Sequence, residues 1–166
     1  MEKELLTKRE KPGEFSIQKE EPLLPKLTTK MSGTWERKVW GRTRCLSRYP
    51  QMSIHELVLE HPGSFCSIHY HERRHNHFYI LSGSISVAVR EGGRDVIYTM
   101  SPGTSLMVPA GLLHQFQVLA KSLVIEMYTP ENGCEVEVND IVRQHEGGLI
   151  GVPLTNGSLF LVSKKD

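Results

Sequence analysis

Residues 63–83 read GSFCSIHYHERRHNHFYILSG, and the spacing within this stretch decides the fold. His69 and His71 are separated by one residue. Residues two apart in a β-strand point to the same face, so both imidazoles are expected to project together. Two neighbouring imidazoles on a rigid strand can chelate a divalent metal ion. The competing interpretation is a cluster of surface histidines at a strand end.

A second stretch, residues 103–114, reads GTSLMVPAGLLH. Its last residue, His114, follows a turn formed by Pro109-Ala110-Gly111. An antiparallel barrel can bring such a distant histidine opposite the first pair. The two stretches together therefore predict a three-histidine site.

The surrounding sequence alternates short β-branched and aromatic runs with Gly, Pro and Ser punctuation, which is typical of an antiparallel sandwich or barrel. Ser82-Gly83 is predicted to form a tight hairpin, as is Glu91-Gly92-Gly93. Further turns are predicted at Pro62-Gly63 and Ser101-Pro102-Gly103. The predicted strands are 38–46, 53–60, 64–70, 77–81, 84–90, 95–100, 105–108, 114–119, 122–128 and 134–139.

The two stretches resemble the signature motifs of the cupin superfamily, G-x5-H-x-H-x3-4-E-x6-G and G-x5-P-x-G-x2-H-x3-N. The resemblance implies an all-β fold, the cupin-type antiparallel β-barrel (double-stranded β-helix or jelly roll). It also implies that the metal ligands are His69, His71, Asn76 and His114. Asn76 stands at the glutamate position of the first motif, and Val118 at the asparagine position of the second.

The change from glutamate to Asn76 bears directly on metal binding. A neutral amide oxygen is a weaker ligand for a hard cation than a carboxylate. We expect a divalent ion of Zn, Mn, Fe or Ni, held more weakly than in a site with the glutamate, and we expect Asn76→Glu to tighten binding. The alternative is a barrel whose histidines line a metal-free pocket.

Within the superfamily, residues 38–145 are similar to the C-terminal barrel of mannose-6-phosphate isomerase type II. That family typically carries Q-x-H-H-H-R-A-E-H-W-x-V-V-S-G, against HYHERRHNHFYILSG here. It also has a PAG-x-x-H segment, a D-D-I-V-R stretch and an upstream P-W-G. The corresponding residues here are Pro109 to Gly111 with His114, Asn139 to Arg143, and Val39 to Gly41. The family's nucleotidyltransferase domain has no counterpart in these 166 residues.

Three functions fit this pattern. In a metal-assisted aldose–ketose isomerase acting on a sugar phosphate, His75 or Glu72 is the candidate base, and Arg74, with Arg143, would hold the phosphate. A non-haem iron oxygenase is the second, because three histidines also suit open iron sites. The third is a non-catalytic carbohydrate- or metabolite-binding cupin, which Asn76 favours.

Composition sets the remaining expectations. The 166 residues predict one folded domain at 34–145, with a flexible N-terminal arm at 1–33 and a tail or extra strand at 146–166. A net charge of +1, from 20 basic and 19 acidic residues, argues against nucleic acid as a partner. No apolar run suggests a signal peptide or membrane span, so we expect a cytoplasmic protein with a small-molecule ligand. The N-terminal arm and the C-terminal tail could exchange strands with a second copy of the chain, which predicts a homodimer.

Overall fold

The computed structural model describes residues 33–131, 134–137 and 139–149, and the backbone of 152–153 and 161–162. All regular structure in these residues is β-strand, which confirms the all-β, cupin-type prediction. The strands are β1 Glu36–Lys38, β2 Gly41–Tyr49, β3 Met52–Leu59, β4 Ile68–Tyr70, β5 Arg74–Glu91, β6 Arg94–Met100, β7 Ser105–Val108, β8 His114–Pro130, β9 Val142–His145, β10 Val152–Pro153 and β11 Leu161–Val162.

The two longest strands organise the main sheet. β5 and β8 run antiparallel along nearly their whole length, from the pair Arg74–Pro130 to the pair Val89–His114. The order β1-β2-β3-β8-β4-β9 forms one path, and β5 joins β6, β7 and β8. This curled antiparallel sheet places one apolar face inside, where the core includes Leu57, Phe78 and Val118. β10 and β11 form a separate two-stranded sheet.

The predicted hairpin at Ser82-Gly83 is wrong, because the chain continues through it as the single strand β5. β8 pairs with both halves, at Ile80–Val124 on one side and Ser84–Ala120 on the other, and the register shifts between them. Gly83 has a φ of +80°, and a Cβ there would lie 2.1 Å from the Lys121 carbonyl oxygen. The segment is therefore a glycine-dependent bulge that bends the strand without reversing it.

The bulge also changes which residues of β5 face the core. Asn76, Phe78 and Ile80 are buried before it, whereas Ile85 and Val87 are buried after it. The buried positions thus switch from even to odd numbers. The separate predictions 114–119 and 122–128 likewise merge into the one strand β8.

The other predicted turns are present. Gly92 and Gly93 connect β5 to β6 with positive φ angles of 55° and 81°, as a two-residue hairpin requires. Turns also lie at 62–63, 102–103 and 110–111. The predicted strand 134–139 is wrong in its described residues, which are irregular, and the strand of this region is β9.

The predicted boundaries at both ends stay predictions. Residues 1–32 of the arm lie outside the described residues. In the predicted tail, Gly148 pairs with Phe65, and Pro153 pairs with Leu161. Among the described residues, no helix has the length and apolar character needed to cross a membrane.

Candidate metal centre

Three histidines converge at the end of β4. β4 pairs with β8 directly at His69 and His114, and His71 is the first residue after β4. One ring nitrogen from each lies within 4.8 Å of the other two. The ring centroids are 4.4 Å apart for His69 and His114, and 5.1 Å apart for His69 and His71. The structure therefore brings together the three histidines that the motif spacing singled out.

Each imidazole is oriented by a hydrogen bond from Nδ1 to a backbone carbonyl. This distance is 2.8 Å for His69 and 2.9 Å for His114, and His71 makes the same type of contact. The acceptors are the carbonyl oxygens of Ser67, Leu112 and Asp140, respectively. Donation from Nδ1 fixes the tautomer whose Nε2 carries a lone pair. The sheet and the loop before β9 thus prepare three Nε2 atoms for a cation.

Burial keeps these imidazoles neutral. It lowers the pKa of His71 to about 3, with a further contribution from the Arg74 guanidinium. It lowers the pKa of His114 to about 4. The pKa of His69 lies well below its usual 6.5, because of burial first and the two neighbouring histidines second. At neutral pH a metal ion would therefore displace no proton from the cluster.

Asn76, on β5, lies next to the histidines and is 1% exposed. Its Nδ2 is 3.0 Å from Glu126 Oε1 and 3.4 Å from His114 Nε2. Asn76 Oδ1 and His71 Nε2 are buried with no hydrogen-bond partner among the described residues. Buried acceptors rarely lack a partner. Two such atoms beside three aligned imidazoles fit a divalent cation, which would satisfy them both.

A cavity of about 1120 Å³ opens onto the cluster. His69 lines it, whereas His71 and His114 are 2% and 1% exposed and are not among its lining residues. Its lining holds six Lys or Arg side chains against three Glu. The basic members are Arg37, Lys38, Arg44, Arg48, Arg74 and Arg143. The excess of positive charge favours an anionic ligand.

The structure separates the three residues predicted for catalysis. Arg74 lines the cavity, where its guanidinium stacks 3.9 Å from the centroid of the Tyr128 ring and its Nη1 donates to the Glu137 carbonyl at 2.9 Å. Glu72 is exposed, and His75 accepts a hydrogen bond from the Ala110 amide at 3.1 Å. Neither Glu72 nor His75 belongs to the cavity lining formed by the described residues.

Sequence reasoning missed a polar group that lines the cavity beside the histidine cluster. Glu126 and Tyr128 on β8 and His55 on β3 all line it, and β3 pairs His55 with Glu126. Burial is the largest cause that raises the pKa of Glu126 and of Tyr128, and burial and Arg48 lower the pKa of His55 to about 4. Positions two apart on one strand could have revealed Glu126, because it shares the parity of His114.

These features define the class of protein. The sequence profile of the cupin family matches residues 42–141, and the chain belongs to that family. The histidine cluster supports a divalent metal ion as its cofactor, as the sequence predicted, without selecting the element.

The chain is similar to part of two larger proteins. It is 26% identical over 113 residues to the xanthan biosynthesis protein XanB of Xanthomonas campestris pv. campestris (strain B100), covering 66% of this chain and 23% of that protein. It is 26% identical over 104 residues to a putative mannose-1-phosphate guanylyltransferase of Vibrio cholerae, covering 63% of this chain and 21% of that one. The chain therefore spans less than a quarter of these curated relatives.

Solved structures share the fold. KdgF from Halomonas sp. has a TM-score of 0.52 and 23% identity, covering 60% of this chain and 89% of that chain. Oxalate decarboxylase from Bacillus subtilis has a TM-score of 0.57 and 18% identity, covering 68% of this chain and 30% of that chain.

Proposed function

We propose that this cupin binds a sugar phosphate at its metal centre and acts on it as an aldose–ketose isomerase does. One observation carries the proposal: β9 pairs Arg143 directly opposite His69, and both line the cavity. A ligand placed there would meet an arginine and the metal centre together. Arginine binds phosphate through paired hydrogen bonds. A divalent metal ion at the histidines would bind oxygen atoms of the sugar.

The arginines that line the cavity differ in whether a carboxylate lies within ion-pair distance. Within the part of the chain that the structure describes, Arg143 and Arg48 have no carboxylate at ion-pair distance, whereas Arg44 Nε lies 2.6 Å from Glu56. Arg74 is buried against Tyr128. We therefore assign phosphate binding to Arg143 first, and give Arg74 the role of shaping the cavity floor.

The isomerase reaction moves a proton between adjacent carbons. A bound divalent ion would polarise the carbonyl and hydroxyl oxygens of the sugar. The sequence assigned the base to His75 or Glu72, and their positions outside the cavity lining give that assignment no support. The choice of mannose 6-phosphate as first ligand is supported by the names of the relatives, which concern mannose-1-phosphate and xanthan.

The test is calorimetry on the Zn²⁺- and Mn²⁺-loaded protein with mannose 6-phosphate, mannose and inorganic phosphate. We expect mannose 6-phosphate to bind most tightly. Arg143→Gln should weaken it about tenfold or more, since a hydrogen bond to a charged group contributes about 1.5–3 kcal/mol. Arg94→Gln, on the exposed end of β6, is the matched control. Equal binding of mannose and mannose 6-phosphate, or an unchanged R143Q, would contradict the proposal.

Catalysis is measured separately, as formation of fructose 6-phosphate by the metal-loaded protein. Binding without conversion would leave a sugar-phosphate-binding cupin without isomerase activity. The non-haem iron alternative rests on the cluster having three histidines and, among the described residues, no carboxylate within its 4.8 Å sphere. Its signature is oxygen uptake by the Fe²⁺-loaded protein.

A further inference from the structure

The carboxylate absent from the first cupin motif has a counterpart on the neighbouring strand. β5 pairs Asn76 with Tyr128 and Phe78 with Glu126, so Glu126 lies diagonally across from Asn76. Glu126 Oε1 is 3.0 Å from Asn76 Nδ2, and that same nitrogen is 3.4 Å from His114 Nε2. One amide group thus separates an acidic side chain from the histidine cluster.

The contact fixes the direction of the Asn76 amide. A carboxylate can only accept hydrogen bonds, so it selects the Nδ2 end of the amide as its neighbour. The other end, Oδ1, is buried without a hydrogen-bond partner in the described part of the chain. Oδ1 is also the atom of Asn76 that could ligate a metal ion. Glu126 therefore leaves the ligating atom available.

Glu126 is the acidic group placed to supply the charge that Asn76 lacks. Burial raises the pKa of Glu126, whereas Arg74 and the cation-rich cavity favour its ionised form. Tyr128 makes a second hydrogen bond to its carboxyl group. A divalent cation at the histidines would favour its ionised form.

We infer that Asn76 and Glu126 together replace the single motif glutamate: Asn76 presents a neutral oxygen to the metal, and Glu126 supplies the negative charge one hydrogen bond away. Glu126 is a positioning residue in this arrangement, because it acts through Asn76. The inference concerns metal affinity and does not depend on the proposed substrate.

The experiment measures Zn²⁺ and Mn²⁺ dissociation constants by calorimetry at neutral pH, and the visible absorption of bound Co²⁺. Partners that orient metal ligands typically contribute 10- to 100-fold in affinity, so Glu126→Gln should weaken binding by about that factor. The exchange variant N76E/E126Q returns the carboxylate to the motif position and should restore wild-type affinity or exceed it. A merely structural loss at position 126 would not be rescued in this way.

Glu36→Gln is the control, because it removes the same charge from the exposed rim of the same cavity. It should change affinity less than threefold. An E126Q variant with wild-type affinity, or an exchange variant no tighter than E126Q, would overturn the inference. If E126Q does not fold, N76E/E126Q, which keeps one carboxylate in the pair, is compared with wild type, and an affinity tenfold or more below wild type overturns the inference. A wild-type protein that binds neither metal refutes the metal centre itself, whatever the outcome with sugar phosphates.

Discussion

Asn76→Glu alone should destabilise the folded protein without metal and stabilise it with metal bound. The substituted carboxylate would lie next to Glu126, which is 3.0 Å from the present amide nitrogen. Two unit charges about 4 Å apart repel by about 4 kcal/mol at an effective dielectric constant of 20. Protonating one glutamate of ordinary pKa at pH 7 instead costs about 3.7 kcal/mol, which caps the penalty. We therefore expect metal-free N76E to be less stable at pH 7 by up to about 3.7 kcal/mol.

The assay is urea unfolding in EDTA at pH 7 and pH 5.5, repeated with excess Zn²⁺. The penalty should fall to about 1.6 kcal/mol at pH 5.5, because protonation is then less costly. With Zn²⁺ the order should reverse, since both carboxylates favour the cation. Asn76→Gln is the control for side-chain size. A metal-free N76E as stable as N76Q at pH 7 would show that the two carboxyl groups lie apart and do not repel each other.

Three further predictions follow from buried groups and from the bulge. Cys66, whose pKa burial raises to about 12, should resist a thiol reagent in the native state at pH 8, whereas exposed Cys134 should react at once. Metal-free protein should lose stability as pH falls from about 6.5 towards 3, by up to about 1.4 kcal/mol per pH unit for each clustered histidine, because their native pKa values lie below 6.5 and the unfolded chain takes up protons first; urea midpoints independent of pH would contradict this. Gly83→Ala should lower the urea midpoint clearly, since its Cβ would meet the Lys121 carbonyl at 2.1 Å, whereas Gly92→Ala, with open space around it, should cost less.

The three-histidine cluster can be predicted from the sequence because it depends on the spacing of residues within two short segments. Strand parity places His69 and His71 on one side, and the turn at 109–111 sets the start of β8 at His114. Buried apolar parity along β8 extends to Glu126, but its partner Asn76 is 50 residues away in the chain. Only the pairing of β5 with β8 brings them together, and no pattern within either strand specifies that pairing.

The wrong hairpin at Ser82-Gly83 has a similar cause. Ser-Gly is a common turn signal, and a glycine with positive φ suits a hairpin and a bulge equally. The choice depends on whether a neighbouring strand continues past the glycine, as β8 does here. The motif spacing favours Glu72 and His75 for their chemistry, but Glu72 lies exposed before β5 and His75 lies on β5, and neither belongs to the cavity lining of the described residues.

Titration of metal-free protein with Zn²⁺ and Mn²⁺ is the direct test of the three-histidine metal centre. We expect one site per chain with a dissociation constant well below millimolar. We also expect a strong loss of affinity when alanine replaces any one of the three clustered histidines, with a smaller loss for Asn76→Ala. Alanine in place of His77, which bonds Thr129 at 2.9 Å on the other side of β5, should leave the affinity unchanged. Wild-type protein that binds neither metal below millimolar concentration, or binding that survives loss of His114, would show that these histidines do not form a metal centre.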